Sequence, residues 1–290
     1  MDVQVSGRTA RSLDLLHSLA YFAPEVEREL VDAGLEPAWM TYFAGRAAPM
    51  GAVGAGVVAA TFYNFNPALI EEVVPRAWKL VDPKEITRAR YRGVDTAYRR
   101  LFGEAVIGST ELAEAAQLAA IAAQSIPGVD GRPLYAGYAA LEWPEPPHLV
   151  LWHALTLLRE YRGDGHIAAL QTAGLSGLEA LITHTVAGVG PQKKFALTRR
   201  GWTQEQWDAA VARLHDRELL DARGELTDDG RELREVVEDL TDELASAPWT
   251  GLGEDGAARL AELAGPWRDA VLASGVFPQT FFGPRYGESR

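Results

Sequence analysis

Apolar residues recur at helical spacing along most of the chain and almost nowhere alternate with period two for long, so the pattern predicts a mainly α protein. Within residues 12–22, Leu13, Leu16, Leu19 and Ala20 share one helical face, and Pro24 then opens a second helix with an acidic first turn that Gly34 closes. Residues 39–48 are apolar on most sides. Pro67 starts another helix after the turn Asn64-Phe65-Asn66, and Asp82-Pro83 caps a long one ending at Gly103. An alanine-rich helix covers residues 111–125, followed by breaks at 126–131 and at 142–147, where Pro144, Pro146 and Pro147 exclude a helix interior. Residues 148–162 are apolar on nearly every side, the pattern of a central helix, which Gly163 is expected to stop. Asp164 is placed to cap a short helix through Leu170, and residues 174–186 supply one more.

The clearest local grammar lies between Leu197 and Leu244. Thr203 and Gln206 form a capping box, and Trp207, Ala210, Val211 and Leu214 recur on one face of the helix it starts. Leu219 to Ala222 and Glu225 to Thr227 flank an Arg223-Gly224 turn, which predicts two short strands, and Thr227 caps a final helix carrying Leu233, Val236, Val237 and Leu240. Helix, short hairpin, helix resembles the recognition helix and wing of MarR-type regulators. The expected fold is therefore mainly α: a helical region over 1–185, a winged helix-turn-helix domain with a two-stranded wing over 186–250, and a helical tail and arm over 251–290. The arm carries Phe277, Phe281, Phe282 and Tyr286, and is expected to pack on the body or on a second subunit, which would make a homodimer.

Charge changes the functional meaning of this segment. The chain carries a formal −12, and over residues 185–250 nine basic residues stand against fourteen acidic ones, a difference of −5. A surface that binds duplex DNA needs cations for its phosphates. The start of the would-be recognition helix offers Glu205 and Asp208 beside Gln204 and Gln206, and the wing offers only Arg223 between Asp221 and Glu225. If DNA is bound, Lys193, Lys194, Arg199, Arg200, Gln204, Arg213 and Arg223 are the residues to meet it. The first expectation is that the winged helix serves as a scaffold or interaction surface.

A longer resemblance rests on Tyr42-Phe43-Ala44-Gly45-Arg46-Ala47-Ala48-Pro49-Met50-Gly51, Thr61-Phe62-Tyr63-Asn64-Phe65-Asn66-Pro67, Trp152-His153-Ala154 and Arg162-Gly163-Asp164-Gly165-His166. These resemble an actinobacterial family of winged-helix proteins, some labelled SalK-like. The resemblance implies a helical N-terminal region joined to a winged helix and brings no catalytic residues with it.

Composition narrows the chemistry further. With no cysteine there are no disulfides, thiolate metal sites or cysteine nucleophiles. The N-terminus lacks a signal-peptide pattern, which points to the cytoplasm. Residues 47–70 are free of charge, but their prolines, glycines and asparagines fit a buried segment and not a membrane span. Gly54-Ala55-Gly56-Val57-Val58-Ala59 matches a dinucleotide-binding pattern by letters without the strand that pattern requires. None of the six histidines has metal-site spacing. The residues name no cofactor, and haem or a metal ion is left to experiment.

What the chain does offer is a set of cationic, aromatic and amide groups inside apolar stretches. Arg46 and Arg159 each need an acceptor if buried, and His17, Tyr21, Tyr63, Asn64, Asn66, Trp152, His153 and His166 could line a pocket with them. The leading expectation is a protein that binds a small molecule. The alternatives are a ligand-responsive regulator that binds DNA and an enzyme using the His/Arg/Tyr set.

Overall fold

The structure, a computed structural model, describes residues 2–278 and 281–285. Fifteen α-helices follow one another among them: α1 Val3–Ser18, α2 Pro24–Asp32, α3 Trp39–Ala47, α4 Ala55–Phe62, α5 Pro67–Leu80, α6 Pro83–Ile107, α7 Thr110–Gln124, α8 Pro133–Ala139, α9 Pro147–Thr172, α10 Gly177–Val186, α11 Lys193–Arg200, α12 Gln204–Asp216, α13 Asp228–Leu244, α14 Ala247–Leu252 and α15 Glu254–Ala273. None is long and apolar enough to cross a membrane.

The chain divides into two compact units. The first takes the described residues of Met1–Gly54, Val73–Gly165 and Asp242–Phe277, and the second those of Ala55–Glu72, His166–Thr241 and Pro278–Arg290. Thus α5, α9 and α13 each carry the chain from one unit into the other.

In the first unit α2 lies along α6, α3 also packs on α6, and α1, α7 and α14 gather around α15. Gly93 makes the first of these approaches feasible. A Cβ there would lie 2.5 Å from the Cα of Val26 and 3.0 Å from its amide nitrogen, and backbone cannot swing aside as a side-chain tip can. Gly93→Ala is expected to cost about 1–3 kcal/mol by forcing α2 and α6 apart. Urea unfolding should show it as a lowered midpoint, and an unchanged midpoint would contradict the close approach.

The second unit is built on Leu170, Leu178, Leu181, Ile182, Trp207, Leu214, Leu220 and Val237, which form one buried cluster. Its C-terminal segment lies against the chain after α10: Arg285 N donates to Gly188 O at 2.8 Å, and the Phe281 ring meets Phe195 edge-on at 5.6 Å. Tyr286 lies outside the described residues.

Two expectations need correction. The two-stranded wing is not formed, since the described residues contain no strand and the hairpin is reduced to one antiparallel bridge, Leu220 to Leu226. The segment is too short for a ladder. It begins where α12 has just ended, at Glu218 with φ 56°, and stops at Thr227, whose hydroxyl already caps α13 by accepting from Gly230 N at 3.0 Å. Between them Asp221 ties the turn to itself, its carboxylate accepting the amides of Arg223 at 2.8 Å and Glu225 at 3.0 Å. The second correction concerns α9, which runs through Gly163 and Gly165 to Thr172 without a stop. A glycine inside a helix costs only about 1 kcal/mol relative to alanine, too little to break one buried on most sides. Asp164 caps α8 instead, accepting from the amides of Leu134 and Tyr135 at 3.1 and 3.0 Å.

Candidate functional site

Two arrangements hold the residues of interest, one in each unit. In the second unit α11, a short connection and α12 follow one another as helix, turn and helix. Gly201, at φ 73°, ends α11 in the left-handed conformation that glycine adopts without cost, and the three-residue connection 201–203 leads into the capping box of α12. In that box Gln206 N donates to Thr203 Oγ1 at 3.2 Å and Thr203 N to Gln206 Oε1 at 3.0 Å. Trp207, Ala210 and Leu214 turn inward, which leaves Gln204, Glu205, Asp208, Ala209, Ala212 and Arg213 facing out.

The start of α12 is braced by the α4–α5 connection. Asn66 donates its side-chain amide to Gly201 O at 2.9 Å and to Gln206 Oε1 at 3.2 Å, and its backbone N–H to Arg200 O at 2.9 Å. Trp202 Nε1 donates to Asn64 O at 2.9 Å, and the Tyr63 hydroxyl to Leu175 O at 2.6 Å. A cleft of about 400 Å³ opens between this connection, the start of α10 and the face of α12 bearing Gln206, Ala209 and Arg213.

Three arginines of this surface are engaged with protein acceptors. Arg213 donates to Glu179 at 3.0 Å, Arg217 to Gly174 O at 2.9 Å, and Arg223 pairs with Asp221 and Glu225 at 3.2 and 3.0 Å. Gln204 donates to Asp208 at 2.6 Å. The Lys193 ammonium sits 5.2 Å from the Trp207 ring centre, and the Arg200 guanidinium 4.2 Å from that of Phe65. Lys194 and Arg199 are exposed on α11.

In the first unit a polar network runs through the apolar core around Glu160, which is 1% exposed. Arg46 grips its carboxylate with two donors, Nε at 3.2 Å and Nη2 at 2.9 Å, and Arg159 adds a third at 2.7 Å. Burial pushes this carboxyl up, but the adjoining Arg159 and Arg46 outweigh burial and hold it well below the usual carboxylate range. Tyr21 OH lies 2.8 Å from His17 Nε2 and 3.3 Å from Glu160. His17 Nδ1 meets Thr156 Oγ1 at 3.0 Å, and Trp152 stacks on the imidazole at 5.9 Å. Beside them Arg90 donates to Gly45 O at 3.0 Å and to the Tyr138 hydroxyl. Its guanidinium lies over the rings of Tyr21, Trp152 and Tyr138 at 5.3, 5.2 and 5.7 Å.

His17, Tyr21, Arg46, Trp152 and Arg159 therefore come together. His153 adjoins them through Tyr91, whose hydroxyl meets His153 Nδ1 at 2.5 Å and whose ring meets Trp152 edge-on at 5.0 Å. Burial pushes His153 down to about 4. Tyr63, Asn64, Asn66 and His166 belong to the second unit, where His166 Nδ1 pairs with Thr241 Oγ1 at 2.8 Å.

Sequence reasoning missed Arg90, Tyr91, Tyr138, Thr156 and Glu160. The spacing Trp152, Thr156, Glu160 repeats every fourth residue and places a hydroxyl and a carboxylate on one stripe of an apolar helix, a signal that could have found them. No group of three or more His, Asp or Glu among the described residues is arranged to hold a metal ion.

Neither a curated protein nor a solved structure matches the chain. A family described as a helix-turn-helix family matches residues 6–278, so almost the whole chain is included in the match, both units together. The chain belongs to this helix-turn-helix family.

Proposed function

We propose that this chain binds a small molecule in its first unit and uses its helix-turn-helix as a scaffold or interaction surface. The observation that carries the reading is the network around Glu160. It gathers three arginines, two tyrosines and a histidine in an apolar core, the mix of apolar lining and convergent polar groups from which small-molecule sites are built. Tyr21, Tyr42 and Arg159 are only half-buried, so the network has an edge that a ligand can reach. Native mass spectrometry on protein purified from its source tests this directly. A co-purifying organic molecule is the expected result, and a bare polypeptide would count against it.

A second reading, a regulator that binds DNA, is favoured by family membership and by Lys194 and Arg199 on α11. The engaged state of Arg213, Arg217 and Arg223 and the acids at the start of α12 speak against it. Affinity for duplex DNA at physiological salt is expected to be no tighter than about 10⁻⁴ M. Selection from a random duplex library followed by a salt titration checks this. A nanomolar site with a steep salt slope, lost on replacing Arg199 and Arg200, would establish the regulator reading instead.

A further inference from the structure

We infer that the ligand of the first unit is a small organic carboxylate with an apolar body, held by Arg90 and Arg159 against Tyr21 and Tyr42. The inference rests on the ligand-binding reading and adds the chemical class.

The argument starts from where the protons are. Thr156 has one hydroxyl proton, and at 2.8 Å it goes to the carbonyl of Trp152, so Thr156 can only accept from His17. His17 Nδ1 therefore carries the ring proton. Burial holds this imidazole well below its ordinary pKa, so Nε2 is bare and accepts from the Tyr21 hydroxyl. With its proton directed at His17, Tyr21 is not the donor a carboxylate needs, and His17 contributes no charge.

The donors are the arginines. Glu160 is shared by Arg46 and Arg159. Asp14 reaches Arg159 only at 3.9 Å, from a position 44% exposed, and Asp164 is occupied by the amides that open α8. Arg90, 3% exposed, forms no ion pair at contact distance, and Glu160 attracts it only from farther away. Its close acceptors are the Gly45 carbonyl and the Tyr138 phenol, with the Tyr21 hydroxyl as a further, weaker one, and its Nη2 is left without a close hydrogen-bond partner. A buried guanidinium left in that state is costly, and an anion supplied from outside removes the cost. The rings that flank the edge of the network favour an organic body over an inorganic anion: Tyr21 and Tyr42 lie 5.4 Å apart, and Tyr42 meets Phe43 at 5.5 Å.

Benzoate and its neutral isostere benzamide separate the two levels of the claim. In calorimetry on the full chain at constant ionic strength, benzoate is expected to bind saturably, while benzamide, chloride and phosphate bind at least about tenfold more weakly. Arg159→Gln, at a half-buried position, and Arg90→Lys should each weaken benzoate by about 10- to 100-fold, with circular dichroism confirming that each variant is folded. Benzamide binding as tightly as benzoate would overturn the carboxylate assignment and leave the ligand-binding reading standing. Benzoate binding that is absent, or indifferent to both substitutions, would also overturn it. If, in addition, no molecule co-purifies with the protein from its source, the ligand-binding reading falls with it.

Discussion

Replacing Glu160 by alanine is expected to destabilise the protein by about 3–5 kcal/mol, the range for breaking a buried ion pair on one side. The loss comes mainly from what is left behind. Arg46, 7% exposed, loses both of its bonds to the carboxylate, and Arg159 loses its closest acceptor. Removing the carboxylate together with Arg46, the more buried of its two arginines, tells a different story. Arg46→Met together with Glu160→Leu takes away the guanidinium and the carboxylate at once, and apolar replacements of buried pairs are often neutral or stabilising. The double variant is therefore expected to be more stable than Glu160→Ala. Guanidinium unfolding of wild type, single and double variants measures this, and a single variant within about 1 kcal/mol of wild type would show that the pair is not buried as described.

Trp207→Ala should cost about 3–5 kcal/mol, because the indole is 3% exposed and central to the cluster that holds the second unit together. Its removal leaves a void between α10 and α12, where Leu178, Leu181, Ala210 and Leu214 cannot all close in without moving the capping box. The same denaturation experiment checks it. Trp207→Phe, which keeps much of the volume, should recover a good part of the loss. Equal losses for both variants would mean that volume is not what Trp207 contributes.

The helices were legible wherever a cap and a periodic face coincided. Thr203 and Gln206 announced α12, Pro24 and Asp82-Pro83 announced α2 and α6, and Ser109 caps α7 within two residues of the predicted start. The helix α11 was missed because eight residues, with Phe195 and Ala196 buried side by side, give no readable period. The wing was over-read. Two short apolar pieces around a glycine satisfy the letters of a hairpin, but strands need room for a ladder, and the caps on either side took that room. In the network the singled-out arginine Arg46 was correctly said to need an acceptor, yet that acceptor stands 114 residues away and could not be named. Arg90 went unnoticed because it sits in a run of cations, Arg88, Arg90 and Arg92, whose outer members are exposed.

The threading of the chain through its two units bears on how such a protein can be taken apart. The helix-turn-helix is not a module that a fragment beginning near residue 166 would carry away intact. Its brace, Tyr63, Asn64 and Asn66, is encoded more than a hundred residues earlier, and part of its C-terminal cover comes after residue 277. A gene fragment for either unit would lose structure at several cut ends, so shuffling by domain exchange has little to grasp. The family match, over residues 6–278, likewise draws on segments of both units.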